Sequence, residues 1–251
     1  MNLRMPSELA CARKNPRQQI KLISEWWGAR NLFCPNCPAE ALALPPNDTE
    51  VCDFMCVRCG ERFEMKAMNS PIGGVVPDGG YRAMMRAIDE DRKPNLFLLH
   101  YDRKDWRVSN LLLVPQVAFS TSAIEKCAKL PGRPYALCKI LLRNIPPVAK
   151  IPIVKGGKAL SVGTVRAVYN RLIELRHEPV RERGWALDVL RIVQSLGKKP
   201  FANDKVYAFA HELKKLHPDN RHVKAKIRQQ LQVLRDMGFL RHVGPGLWRL
   251  P

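Results

Sequence analysis

Two cysteine pairs are the most chemically specific feature of the chain. Cys34-Pro-Asn-Cys37 and Cys56-Val-Arg-Cys59 are C-x-x-C motifs with 18 residues between them. Each motif folds into a knuckle that offers two thiolates to one ion, and two knuckles complete a tetrahedral cage. The spacing falls in the range of Cys-pair zinc sites. With Cys34, Cys37, Cys56 and Cys59 all engaged, the zinc has no open position, so it is expected to be structural. Cys11, Cys52, Cys127 and Cys138 lack such pairing and read as ordinary small buried residues.

A second constellation overlaps the second knuckle. Asp53 stands just before it, and Glu64-Met65-Lys66 just after. If 51–55 and 62–67 pair as a hairpin, Asp53 and Glu64 lie near each other on adjacent strands. Alternation then puts Glu64 and Lys66 on one face and turns Met65 away. Neighbouring carboxylates repel unless a cation sits between them, and a hard divalent ion relieves that. An adjacent lysine can orient an attacking water. Together they suit phosphodiester hydrolysis. Surface strands often carry such charges, so the spacing alone leaves a solvated strand face open as a reading. A braced hairpin in a strongly basic chain is an odd place for a chance carboxylate pair.

The positioning elements follow. A helix is expected over 7–30, with Ile20, Ile23, Trp26 and Trp27 on one side. A loop over 70–80 leads to a helix through Tyr81, Met84, Met85 and Ile88, which Asp78 caps. Strands are expected at 95–101 and 106–114. Prolines obscure 115–165, and a helix spans 162–177 before a charged linker. Beyond it come helices at 185–196, 203–216 and 220–237, then a short hairpin, the winged form of the helix-turn-helix. The expectation is α+β: a zinc-containing domain over 1–182, then a winged helix over 183–251.

Charge names the partner. The chain has 42 Lys and Arg against 23 Asp and Glu, a net charge of +19, with a pI near 9.9. Residues 183–251 alone carry 14 basic against 5 acidic residues, so both parts are drawn to a polyanion, as counterion release requires. A hydrophobic content of 46% allows a packed core. The N-terminus is polar and no run approaches the roughly 18 apolar residues of a membrane span, so a soluble, cytoplasmic protein without membrane contact is expected. Nothing points to an obligate protein partner.

In the helix from Asn220, core positions fall at Val223, Ile227, Leu231 and Leu234. The opposite face carries Arg221, His222, Ala225 and Gln229, flanked by Lys224, Lys226 and Arg228. Ala225 permits close approach to a major groove, Gln229 can bond an adenine edge twice, and the cations suit phosphates. A solvated basic face is the alternative. On the wing, Arg241 and His242 are further phosphate candidates.

Several stretches carry a resemblance: Phe33-Cys-Pro-Asn-Cys37, Asp53-Phe-x-Cys56-x-x-Cys59, Phe63-Glu64-x-Lys66, Asp78-Gly-x-Tyr81 with Met84-Met85, and Lys226-Ile-Arg-Gln-Gln-Leu-Gln-Val-Leu-Arg-Asp236. The chain resembles the DpnI-like methyl-directed restriction endonucleases, PD-(D/E)XK nucleases with a four-cysteine zinc site and a C-terminal winged helix. The likeness runs over nearly the whole chain and is loosest between 120 and 182. Cys52 stands where the motif's name has proline, a position known to vary. The resemblance implies magnesium-dependent cutting of double-stranded DNA at GATC sites carrying N6-methyladenine. It implies that Asp53, Glu64 and the backbone carbonyl of Met65 hold magnesium, that Lys66 assists the water, and that both domains read DNA. Glu25 on the first helix could approach that metal, although an exposed helix carboxylate is the plainer reading.

Methyl reading rests on the resemblance alone. A methyl group gains roughly 0.8 kcal/mol on leaving water, so discrimination needs several contacts or two reading sites. Tyr135, in a proline-flanked segment, could supply an aromatic wall against DNA; a core tyrosine is the plainer reading. Two rivals stay open: a non-catalytic zinc-ribbon and winged-helix DNA-binding regulator, and a repair nuclease that reads DNA structure. A regulator has no need of Asp53, Glu64 and Lys66 together.

Overall fold

The structure, a computed structural model, describes residues 1–12, 14–46 and 52–251. The expected strand start at 51 and the end of the loop after Ala41 lie outside them. In chain order the regular elements begin with α1 (Pro16–Asn31), β1 (Phe54–Met55), β2 (Arg62–Met68), β3 (Val75–Gly80) and α2 (Tyr81–Asp89). Then come β4 (Asn95–Asp102), β5 (Arg107–Val114), β6 (Ile124–Lys126), β7 (Leu137–Leu141), β8 (Ile151–Lys155) and β9 (Lys158–Ala159). The remainder is α3 (Val162–Ile173), α4 (Val180–Ser195), β10 (Phe201–Ala202), α5 (Asn203–Tyr207), α6 (Ala210–Leu216), α7 (Val223–Asp236), β11 (Arg241–Gly244) and β12 (Leu247–Arg249). The fold is α+β, with a sheet core and a C-terminal helix-turn-helix domain. No helix among the described residues is long and apolar enough to cross a membrane.

The backbone divides into two compact units. The first comprises Met1–Gly73, Lys93–Gln116 and Val148–Ile173. Its sheet runs β1-β2-β4-β5-β8-β9, with β2 and β4 parallel and the other neighbours antiparallel. Strand β4 sits between β2 and β5, and Leu96, Phe97, Leu98 and Leu99 on it are all fully buried. A strand covered on both faces has no polar side to alternate with, which is why its sequence is one apolar run. Phe63 on β2 stacks on Phe97 with ring centroids 5.1 Å apart.

The first helix is shorter than expected. Residues Ser7–Ala12 form a separate 3-10 turn, and α1 starts at Pro16. Proline fits the first helical turn but not its interior. Asn15 caps the helix, its side chain accepting from the Arg17 N–H at 2.9 Å. Trp27 is fully buried and donates to the Asn2 carbonyl at 2.8 Å. Trp26, expected on the same side, is exposed with the Arg30 guanidinium over its ring. Gly28 meets the sheet: a Cβ there would lie 2.4 Å from Cζ of the fully buried Phe54.

The second unit comprises Gly74–Arg92, Val117–Pro147 and Glu174–Pro251. It holds the antiparallel sheet β3-β7-β6 and the winged helix. Asp78 is not a helix cap; it lies in β3 opposite Cys138, and α2 begins after Gly80 without a side-chain cap. The helix expected at 203–216 is divided into α5 and α6. A strand the sequence did not suggest, β10, pairs with β12 and so ties the wing to the end of α4. Fully buried Asp188 on α4 accepts from Ser122 at 2.7 Å and bonds His217 at 2.8 Å, while His217 stacks on Trp185. Buried Arg183 pairs with Asp91 at 2.6 Å.

Candidate functional site

The two knuckles converge. Cys34 and Cys59 sulfurs lie 3.5 Å apart, as do those of Cys37 and Cys56, and all four fall within 4.8 Å of one another. One tetrahedral ion with metal–sulfur bonds of about 2.3 Å needs sulfur separations of roughly 3.8 Å. The cluster can therefore hold zinc. Burial pushes the Cys34 thiol up; burial also opposes ionisation of Cys56, but the Cys59 and Arg58 amides, with the Cys37 and Cys59 thiols, together outweigh it and bring that thiol to about 7. Each knuckle is braced from outside. Arg166 donates to the carbonyls of Cys34 at 3.1 Å and Ala39 at 2.9 Å. Gly60, at φ +76°, closes the second turn in a conformation that disfavours side chains. The expectation that the other four cysteines are buried holds only for Cys138: Cys11 is exposed, and Cys52 and Cys127 are half-buried.

The second knuckle feeds directly into the acidic site. Asn95, at the start of β4, donates to Glu61 at 2.8 Å and to the Arg62 carbonyl at 3.0 Å. The Tyr169 hydroxyl lies 3.1 Å from Glu61 and 3.0 Å from Asn95. This buried network fixes the knuckle to the central strand, and β2 leaves from it. The β1–β2 register, Phe54 with Phe63, then sets Asp53 opposite Glu64, and the Asp53 N–H donates to the Phe63 carbonyl at 2.8 Å.

Asp53 and Glu64 meet at one cleft of about 510 Å³, whose walls include Met65, Cys52, Glu25, Lys21 and Arg17. The Met65 N–H donates to Asp53 Oδ2 at 2.7 Å. In an extended strand a residue's N–H and C=O leave by the same edge, so the Met65 carbonyl issues on the Asp53 side. Glu64 lies between two lysines: Lys66 bonds Oε1 at 2.8 Å and Lys93 bonds Oε2 at 2.6 Å. The two carboxylates separate in acidity. Burial, aided by repulsion from Glu64, pushes Asp53 up. Burial also opposes ionisation of Glu64, yet Lys93 and Lys66 outweigh it and hold its carboxyl at about 2. Asp53, Glu64 and the Met65 carbonyl are all-oxygen donors on one side of the cleft, a set that fits a hard divalent ion.

Three charged residues of this cleft, and Lys93 behind Glu64, escaped the spacing argument. Glu25 is not an exposed helix carboxylate: it is half-buried and lines the cleft, where burial and Asp53 raise its carboxyl against the pull of Lys21. Arg17, Lys21 and Glu25 recur every four residues, one stripe of α1 that the pattern did contain. Lys93 carried no such signal. It stands two residues before the apolar strand β4, and only the parallel pairing of β2 with β4 brings it to Glu64.

On α7 the buried side chains are Ile227, Gln230, Leu231 and Leu234. Val223, expected in the core, is half-buried, and Gln230 takes an inward position within 3.5 Å of Glu182. Arg221, His222, Lys224, Ala225, Arg228 and Gln229 are exposed. Arg221, His222, Ala225, Lys226 and Gln229 border one shallow concavity of about 480 Å³. Lys226, expected on a phosphate-facing flank, pairs with Glu182 and donates to Gln229 Oε1 at 2.9 Å. Lys214 holds the turn before α7 by donating to the carbonyls of Pro218 at 2.8 Å and Asn220 at 2.7 Å. Arg241 and His242 are exposed on the wing. Tyr135 is not a core residue; it is 51% exposed, its ring 3.4 Å from where a Gly80 side chain would stand.

A mixed sheet carrying an acidic cleft and a four-cysteine cluster that can hold zinc, followed by a helix-turn-helix, is the arrangement of a DNA-binding protein. Residues 1–178 match the family model DpnI, the Dam-replacing family, and residues 181–250 match the Dam-replacing HTH domain. The chain belongs to the Dam-replacing family. That membership supports a methyl-directed restriction enzyme, and with the helix-turn-helix it supports DNA binding.

Proposed function

We propose that this protein is a methyl-directed type II restriction endonuclease that hydrolyses double-stranded DNA at GATC sites carrying N6-methyladenine. The observation that carries the chemistry is Asp53 and Glu64 on paired strands, at one cleft, with Lys66 bonded to Glu64. Asp53, Glu64 and the Met65 carbonyl are the residues that would hold magnesium. A magnesium ion so held supplies Lewis-acid stabilisation of charge on the phosphate. Lys66, at 23% side-chain exposure, is open enough to orient the attacking water, whereas Lys93 at 7% is not. Arg17 and Lys21 on α1, which line the same cleft, supply positive charge for backbone phosphates near the cut. Zinc on the four cysteines keeps the hairpin in register and takes no part in hydrolysis.

Residues 1–182 form the nuclease module in this reading, and residues 183–251 the reader. On α7, Arg221, His222 and Gln229 read base edges across the close approach that Ala225 allows, and Lys224 and Arg228 bind phosphates. Lys226 steers Gln229 instead of meeting a phosphate. Arg241 on the wing adds a phosphate contact, and Tyr135 offers an exposed aromatic surface to DNA. The expected location is the cytoplasm, where the DNA is. Incubation with adenine-methylated and unmethylated plasmid, with and without magnesium, tests the proposal. Cutting of methylated DNA only, and only with magnesium, is the expected result; cutting regardless of methylation would leave a nuclease without the proposed selectivity, and no cutting at all would sink it.

A further inference from the structure

Glu25, Asp53 and Glu64 bring three carboxylates to the catalytic cleft, and three lysines answer them. Lys21 reaches Glu25 at 3.5 Å from a side chain that is 68% exposed, so it can leave. Lys66 is 23% exposed and opens toward solvent. Lys93 differs from both. Its side chain is 7% exposed, and its ammonium lies 2.6 Å from Glu64 Oε2 at the foot of β4, next to the buried Asn95–Glu61–Tyr169 network. A buried charge leaves its partner only at high cost, so this cation stays where it is.

A divalent ion bound through Glu64 would stand about 2.1–2.5 Å from a carboxylate oxygen. It would then face the immobile Lys93 ammonium across the same carboxylate. Two cations on one carboxylate repel, and in a partly buried site that repulsion is not screened away. Without DNA the cleft's three acids are already answered by three lysines and Arg17. The scissile phosphate adds the negative charge that makes room for a divalent ion.

We propose that Lys93 is a positioning residue that weakens divalent-ion binding in the absence of DNA, so that metal and DNA load together. The inference rests on the reading of Asp53 and Glu64 as the magnesium site. Because coupling is reciprocal, DNA must tighten ion binding by the same factor that the ion tightens DNA binding. This device would spare the cell cutting by an enzyme already charged with metal at sites it merely brushes.

The test is a calorimetric titration of the full-length, zinc-loaded protein with calcium chloride, without DNA and with a methylated GATC duplex. Lys93→Gln removes the charge and keeps a donor for Glu64; it is expected to tighten calcium binding about tenfold without DNA, and to shrink the increment that DNA provides. Lys93→Arg, which keeps the charge, is expected to stay within about threefold of the parent. Lys93→Met serves as a second charge-free variant, with retained zinc and an unchanged near-ultraviolet spectrum as the check that each variant is folded. A merely structural lysine predicts the opposite sign, weaker calcium binding in both charge-free variants, and that result or no change overturns the proposal. A parent protein that binds no calcium even with DNA overturns the site reading itself, and the two failures are thereby told apart.

Discussion

Gly28 links the geometry of α1 to the position of Asp53. A Cβ at residue 28 would lie 2.4 Å from Phe54 Cζ and 2.7 Å from Cε1, when ordinary contact begins at 3.4 Å. Gly28→Ala therefore asks for a displacement of about 1 Å. Rotation of the ring about its own axis does not move Cζ, and Phe54 is fully buried, so the strand or the helix must give way. Overpacking of this kind costs about 1–3 kcal/mol. Replacing a mid-helix glycine by alanine returns about 1 kcal/mol. The net destabilisation is therefore about 0–2 kcal/mol, a shift in melting temperature of at most several degrees. Catalysis should suffer more, because Phe54 adjoins Asp53 and a 1 Å misplacement of a catalytic group costs on the order of 100-fold in rate. Cleavage of methylated plasmid at saturating magnesium, set beside a thermal melt of the same preparation, measures both. Adding Phe54→Leu should restore part of the rate by making space. Gly28→Ala cutting within twofold of the parent would refute the coupling, and so would a loss of rate matched by an equal loss of folded protein.

Other expectations concern the metal sites, the acid limb and the reader. Elemental analysis should find one zinc per chain, and chelation should unfold the knuckles and the β1–β2 hairpin with them; pure, active protein without zinc would end that claim. Asp53→Ala and Lys66→Ala should each abolish cleavage while leaving specific DNA binding largely intact, and magnesium-dependent cutting retained in either would mean the wrong site is named. Glu64, with a folded pKa of about 2 against an ordinary 4.5, contributes stability that is fully present above pH 4.5 and lost as pH falls from 4.5 to 2. That contribution is at most about 3 kcal/mol, so Glu64→Gln should flatten the loss of urea stability between pH 6 and pH 3; an equally steep loss in the variant would contradict it. Gln229→Ala in the full chain should cost about 1–3 kcal/mol of discrimination against a wrong base while sparing nonspecific affinity. Titrations at fixed salt with methylated, unmethylated and scrambled duplexes would show this, and equal losses on all three would reduce α7 to a nonspecific clamp.

The four-cysteine cluster, the strands around Asp53 and Glu64, and the helical character of the reader with its wing were legible because their signals are local. A C-x-x-C turn, an alternating strand or a helical stripe is defined by spacing within one segment, where geometry depends on the residues themselves. The same local logic puts Asp78 at a helix start, where the structure has it in β3, paired with Cys138 on the distant β7. Propensity at Asp78 favours a cap, and only the partner strand decides otherwise. The apolar character of their rings argues for Tyr135 and Trp26 in the core, but burial is settled by what packs above a side chain. The acidic motif was readable while its chemistry was incomplete. Sequence determined that Asp53, Glu64 and Lys66 share a hairpin and that four sulfurs can meet, since both follow from register and turn geometry. Tertiary structure alone decided that Glu25 faces the cleft, that Lys226 turns to Glu182, and that Lys93 is locked onto Glu64. Those three contacts join residues 28, 44 and 29 positions apart, and separations of that kind are set by the packing of whole elements, where no one segment carries the information.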